Sequence, residues 1–131
     1  MISKHIRNPD ATAEKHRRII KLVEYILNPE TENATEKCVY HCARGFITGE
    51  RSMQLNEMIA LSEDATRSKN TVEHFMLSWR EGEKPTPEQI EELITIWLAE
   101  MGLNGCQAIY GLHEDTDNCH LHIAVNRMHP E

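Results

Sequence analysis

No run of apolar residues in this 131-residue chain approaches the roughly 20 that a helix needs to cross a bilayer. The first residues, Met1-Ile2-Ser3-Lys4-His5, lack the apolar stretch of a signal peptide, so the cytoplasm is the expected compartment. Internal repeats and low-complexity segments are missing. The four cysteines, at 38, 42, 106 and 119, do not take the CxxC spacing of zinc ribbons or redox motifs. They are expected to be reduced, small and mostly buried. A cationic excess is missing as well: the net charge is -7, which counts against a nucleic-acid partner. The charge is unevenly spread, however. Residues 1–21 carry +4 and the remaining 110 carry -11. Lys15, Arg17, Arg18 and Lys21 therefore form a local basic stretch that can hold a phosphate backbone, although a solvated helix face has the same composition.

What is present fits one soluble domain, 1–131, long enough to bury about two thirds of the surface its unfolded chain exposes. Met1 to Arg7 alternates loosely, as a short edge strand would. Ile19, Ile20, Leu22, Val23, Ile26 and Leu27 recur at helical spacing up to Asn28-Pro29. This predicts a helix over 12–27 with Asp10 or Thr12 as its cap. Residues 30–37 are polar and read as a loop. A strand is predicted over 38–43, and an amphipathic helix over 52–66 with Ser52 as N-cap. A second strand spans 72–79. Thr86-Pro87-Glu88-Gln89 has a capping-box pattern for a helix ending at Gly102. Strands over 106–112 and 119–125 form a hairpin around the polar turn 114–118. The order predicts an antiparallel sheet with helices packed against it, an α+β fold.

The chemistry concentrates in His113-Glu114-Asp115-Thr116-Asp117-Asn118-Cys119-His120-Leu121-His122. On a strand, His120 and His122 point to one face because side chains alternate with period two. His113 ends the partner strand and can lie beside them. Three converging imidazoles make a metal site with positions open to water or a substrate oxygen. Asp115 and Asp117 stand where carboxylates would orient imidazole N–H groups. His5, His16, His41, His74 and His129 lack such company, with His74 the strongest exception. A metal beside a nucleophile suits phosphoryl transfer, and tyrosine, serine and cysteine are the candidate attacking groups. Of three tyrosines, Tyr40 and Tyr110 fall in predicted strands. Tyr25 lies on the first helix beside the basic stretch, where packing against Leu22 and Ile26 is the competing role.

His113-x-Asp115-Thr116-Asp117-Asn118-x-His120-x-His122, with Ile123-Ala124-Val125-Asn126-Arg127 and His129-Pro130 following, resembles the third motif of plasmid mobilisation relaxases. The resemblance is to their P-type mobilisation group, the TraI-like members of the histidine-hydrophobe-histidine endonuclease superfamily. His74-Phe75-Met76-Leu77-Ser78-Trp79-Arg80-x-Gly82-Glu83-Lys84-Pro85 is similar to the second motif, and Tyr25 before a helix end to the first. The resemblance implies a five-stranded antiparallel sheet flanked by about three helices. It implies that Tyr25 attacks one phosphodiester at a transfer origin, leaving a 5′-phosphotyrosyl link and a free 3′-hydroxyl, and that the reverse reaction rejoins the strand. Ser78 and Arg80 would contact DNA near the nick. His113, His120 and His122 would hold Mg²⁺ or Mn²⁺, three imidazoles favouring Mn²⁺ or a later transition metal. His113 has a competing role as the base that activates the tyrosine. Single-stranded origin DNA, relaxosome accessory proteins and the conjugation coupling protein are the implied partners. Relaxase domains usually continue beyond this motif, so a domain truncated after Glu131 is expected. A DNA-binding relaxosome module without catalysis, and a rolling-circle replication initiator, are the alternative functions. The tyrosine preceding the histidine pair argues against the initiator.

Overall fold

The computed structural model describes residues 2–6, 14–31, 35–64, 71–115 and 118–130. The chain runs β1 (Ile2–Ile6), α1 (Lys15–Leu27), β2 (Glu36–Arg44), α2 (Arg51–Asp64), β3 (Val72–Ser78), α3 (Pro87–Glu100), β4 (Ala108–Asp115) and β5 (Asn118–Asn126), with a short 3-10 turn at Pro29–Thr31. All five strands join one antiparallel sheet in the order β1-β3-β5-β4-β2. The expected α+β architecture, five antiparallel strands with three helices, is the one the chain adopts.

Each face of the sheet is covered by helices whose apolar residues recur every three or four positions. On one face lies α3, which buries Ile90, Ile94, Trp97 and Leu98 against Phe75, Leu77, Tyr110, Leu121 and Ile123. Each fully buried side chain of this size contributes about 1.5–3 kcal/mol. The start of α3 follows from its sequence. Thr86 accepts from the Gln89 amide, and the Gln89 side chain returns to the Thr86 amide. On the other face α1 buries Ile19, Val23 and Ile26 with Met58 of α2, against Val72, Ile109 and Ala124.

Several local expectations need correction or fall outside the described residues. Glu36 and Lys37 belong to β2 rather than to a loop, because they pair with Asp115 and Glu114 across the sheet. Ser52 lies inside α2, where the Gln54 amide already bonds the Glu50 carbonyl at 2.9 Å, so it caps nothing. α2 packs Met58, with Leu55 and Ile59 partly buried beside it, against the core, but its other fully buried positions are polar, Gln54 and Ser62, and Met53 is exposed. Buried polar positions are tolerated there because they are bonded: Gln54 to the Thr48 carbonyl, Ser62 to Thr71. The proposed caps Asp10 and Thr12 lie outside the described residues.

A polar lock fastens α3 to the sheet. The Glu91 carboxylate accepts from Tyr40 at 2.6 Å and Tyr110 at 2.5 Å, and Arg44 donates to it at 3.0 Å. Arg44 also reaches the Glu91 carbonyl and Thr95. Burial alone would raise the Glu91 carboxyl, but bonds from Tyr110, Tyr40 and Arg44 outweigh it and hold the group below its ordinary value. A depressed carboxylate stabilises the fold above the ordinary pKa of about 4.3, and that stability is lost as pH falls through the folded value. Glu91→Gln is therefore expected to melt below the parent at pH 7. The gap should narrow below about pH 4 in melts recorded across the acid range. A pH-independent gap would remove the ionic part of this account.

The other face positions the chemistry. Cross-strand pairing of Ile109 with Ala124, Gly111 with His122 and His113 with His120 puts all six on the α1 side. His74, Met76 and Ser78 of β3 join them through the β3–β5 ladder. The end of α1 rests directly on Gly111. A Cβ there would lie 2.9 Å from the Ile26 carbonyl oxygen and 3.1 Å from Cys38 Sγ. Since the nearer atom is backbone, Gly111→Ala should lift the helix end. The expected cost is about 1–3 kcal/mol, read by denaturant unfolding. An unchanged midpoint would show that α1 yields freely.

Candidate metal centre and nucleophile

Lifted onto β4 in this way, the last turns of α1 bring Tyr25 over the sheet. Ile19, Val23 and Ile26 fill the core beneath the helix, while Tyr25, half-buried, faces the histidines. Its ring centroid lies 5.2 Å from those of both His113 and His122, edge-on at 81° and 83°, and 6.2 Å from that of His74. Tyr40 and Tyr110 are held by Glu91 on the α3 face, across the sheet from this cluster.

His113 is fully buried, with an oxygen close to each ring nitrogen. Its Nε2 lies 2.7 Å from the Ile26 carbonyl oxygen. A carbonyl only accepts, so Nε2 carries the hydrogen. Its Nδ1 lies 2.9 Å from Glu36 Oε1. The same carboxylate oxygen is 3.9 Å from His122 Nε2, while His122 Nδ1 is 2.8 Å from His74 Nε2. Burial, then the neighbouring His113, His74 and His120, push the His122 imidazole down to about 2. Burial, with His113 and His5, takes His74 to about 4. Both rings are therefore neutral near pH 7, the form in which imidazole binds metals.

Ligand atoms of Glu36, His113 and His122 all lie within 4.8 Å of one another. Two imidazole nitrogens and a carboxylate oxygen suit a divalent metal, so these residues fit the cation the sequence suggested. His120 stands one step further along the same face. Its Nδ1 lies 3.1 Å from Ser78 Oγ, and its ring is 6.4 Å from that of His122. Thus His113 and His122 converge, His120 lies beside them with Ser78, and Glu36 is drawn in from another strand. The sequence reading missed Glu36 because it sits in a polar stretch with no motif around it. His74, singled out among the isolated histidines, does reach the site. Asp115 ends β4 opposite Glu36, and Asp117 lies outside the described residues. The carboxylate against His113 is that of Glu36.

The basic candidates separate. Arg17, Lys21 and Arg80 are exposed. Lys15 donates to the Ser62 carbonyl at 2.9 Å. Arg18 is buried, at 8% exposure. Among the described residues no helix is long and apolar enough to cross a membrane.

An antiparallel α+β domain thus carries, on one sheet face, a histidine–carboxylate cluster of candidate metal ligands with a tyrosine ring over it. Comparison with known proteins supplies the family. The description "Relaxase: MobA/VirD2-like, nuclease domain" matches residues 25–131. The chain is 64% identical over 74 residues to Protein MobA of Acidithiobacillus ferrooxidans, covering 56% of this chain and 18% of the relative. It is 32% identical over 133 residues to a Protein TraI of Escherichia coli, covering 99% of this chain and 17% of the relative. The chain belongs to the MobA/VirD2-like relaxase nuclease family. It spans less than a fifth of the length of these relatives. No solved structure matches it.

Proposed function

We infer that this domain nicks and rejoins one DNA strand at a plasmid transfer origin, with Tyr25 as nucleophile. One observation carries the reading: the Tyr25 ring stands 5.2 Å from both His113 and His122, the two imidazoles that share the Glu36 carboxylate. In the forward step the phenol gives up its proton and its oxygen attacks a backbone phosphorus. A new P–O bond forms and the bond from phosphorus to the 3′ oxygen breaks. The 3′ oxygen takes up a proton and leaves as a hydroxyl, while the phosphate stays on the 5′ end and is now esterified to the tyrosine oxygen. Attack by a 3′-hydroxyl on that ester reverses the step and rejoins the strand.

His113, His120 and His122, with Glu36 beside them, are the proposed holders of a divalent ion, Mg²⁺, Mn²⁺ or a later transition metal. Bound there, it would polarise a non-bridging phosphate oxygen and offset charge developing in the transition state. Each proposed imidazole has an outward partner that leaves its second nitrogen for a cation: Ile26 for His113, Ser78 for His120 and His74 for His122. Arg17, Lys21 and Arg80 are the proposed backbone contacts, and single-stranded DNA the substrate. Relaxosome accessory proteins and the coupling protein are proposed partners in a cytoplasmic complex.

The test is to incubate the protein with Mn²⁺ and a labelled single-stranded transfer-origin oligonucleotide, then denature it. A covalent protein–DNA adduct is expected, absent when a chelator is added. Binding of the oligonucleotide with no adduct would favour a relaxosome module without catalysis.

A further inference from the structure

β3 contributes a side chain to the centre that the histidine-rich hairpin does not contain. His74 Nε2 lies 2.8 Å from His122 Nδ1, with the two ring centroids 5.0 Å apart. The spacing is set by regular pairing rather than by a loop. β3 and β5 run in unbroken register from Val72 opposite Asn126 to Ser78 opposite His120, and His74 sits diagonal to His122.

A hydrogen bond between two neutral imidazoles uses one hydrogen, so one ring donates and the other accepts. Were His74 the donor, His122 would carry its own hydrogen on Nε2. That is the nitrogen facing Glu36 at 3.9 Å, and a protonated nitrogen has no lone pair for a metal. Only the opposite arrangement leaves His122 able to ligate. We propose that His74 is a positioning residue for the metal centre: its Nε2 accepts the Nδ1–H of His122 and fixes the tautomer and ring orientation that leave His122 Nε2 bare toward Glu36 and His113.

Ring orientation matters as much as tautomer. His122 packs on His113 at 4.3 Å between centroids and meets the Tyr25 ring edge-on. A rotation of His122 about its Cβ–Cγ bond would disturb the cation site and the nucleophile together. A bond at Nδ1 opposes that rotation. The partner is an imidazole where His113 uses a backbone carbonyl and His120 a serine hydroxyl, which makes this link removable by mutation without touching the main chain.

The inference rests on the cation reading above, and its test separates the two. Mn²⁺ binding to the full chain is measured by calorimetry for the parent, His74→Phe and His74→Gln. Phenylalanine keeps aromatic bulk without an acceptor, and glutamine restores one. Loss of such an outer partner is expected to weaken Mn²⁺ binding about 10–100-fold in His74→Phe, with His74→Gln recovering most of it. Metal-free melts of all three should stay close together. A folded His74→Phe that binds Mn²⁺ as tightly as the parent overturns the proposal and leaves the cation reading standing. No Mn²⁺ uptake by the parent overturns both. A second measurement does not depend on the variants: nitrogen NMR of labelled imidazole rings in the parent loaded with diamagnetic Zn²⁺. His122 should show a protonated Nδ1 and a metal-shifted Nε2. A protonated Nε2, or a metal on Nδ1, overturns the assignment.

Discussion

Tyr25→Phe is expected to form no covalent adduct with single-stranded origin DNA, and to cut it slower by three orders of magnitude or more. That is on the order of what removal of a nucleophile costs in covalent catalysis. The substitution is informative because it removes one oxygen and keeps the ring. The edge-on packing on His113 and His122, with centroids 5.2 Å away, survives in outline. Mn²⁺ affinity and melting temperature should therefore change little while the adduct disappears on denaturing gels. An adduct that persists in Tyr25→Phe would sink the nucleophile assignment. Neither of the other tyrosines could easily replace it. Tyr40 and Tyr110 donate to Glu91 on the opposite sheet face, and their shared carboxylate, together with burial, raises both phenols above the ordinary value.

The second large effect is expected from the imidazoles. The combined His113→Ala and His122→Ala variant should lose stoichiometric Mn²⁺ uptake, a fall of more than about 100-fold in affinity, because two of the donor nitrogens are gone. Adduct formation should fall with it. Stability must be followed in parallel, since His113 Nε2–H also donates to the Ile26 carbonyl. Leaving that buried acceptor unpartnered costs roughly 1–3 kcal/mol, so His122→Ala alone is the cleaner ligand test. Comparing Glu36→Gln with His120→Ala then ranks the remaining donors. On the geometry in hand Glu36 is in the converging set and His120 bonds Ser78 beside it, so the Glu36 substitution should cost more affinity. Unchanged metal content in the double variant would end the ligand assignment.

The relation between sequence and structure differs from one element to the next. The capping box at Thr86 and Gln89 was readable because both partners lie within one turn and their bonds are local. The period-two placement of His120 and His122 was readable for the same reason. The buried polar positions of α2 were not. Gln54 and Ser62 are buried beside Met58, and they are acceptable only because Thr48 and Thr71 meet them from elsewhere in the chain. The basic run of α1 read as a single surface, yet packing buried Arg18 and left Arg17 and Lys21 outside.

By itself the sequence determined the order of elements, the hairpin of histidines and a family resemblance resting on short-range spacing. Local hydrogen bonding and residue alternation operate within a few positions, and a string of residues records them. Only the tertiary structure decided which carboxylate and which extra imidazole complete the centre. Glu36 reaches His113 across 77 positions and His74 reaches His122 across 48, distances over which sheet register, not local pattern, sets who meets whom. The same holds for Tyr25, whose place over the imidazoles depends on a helix end settling where Gly111 has no side chain.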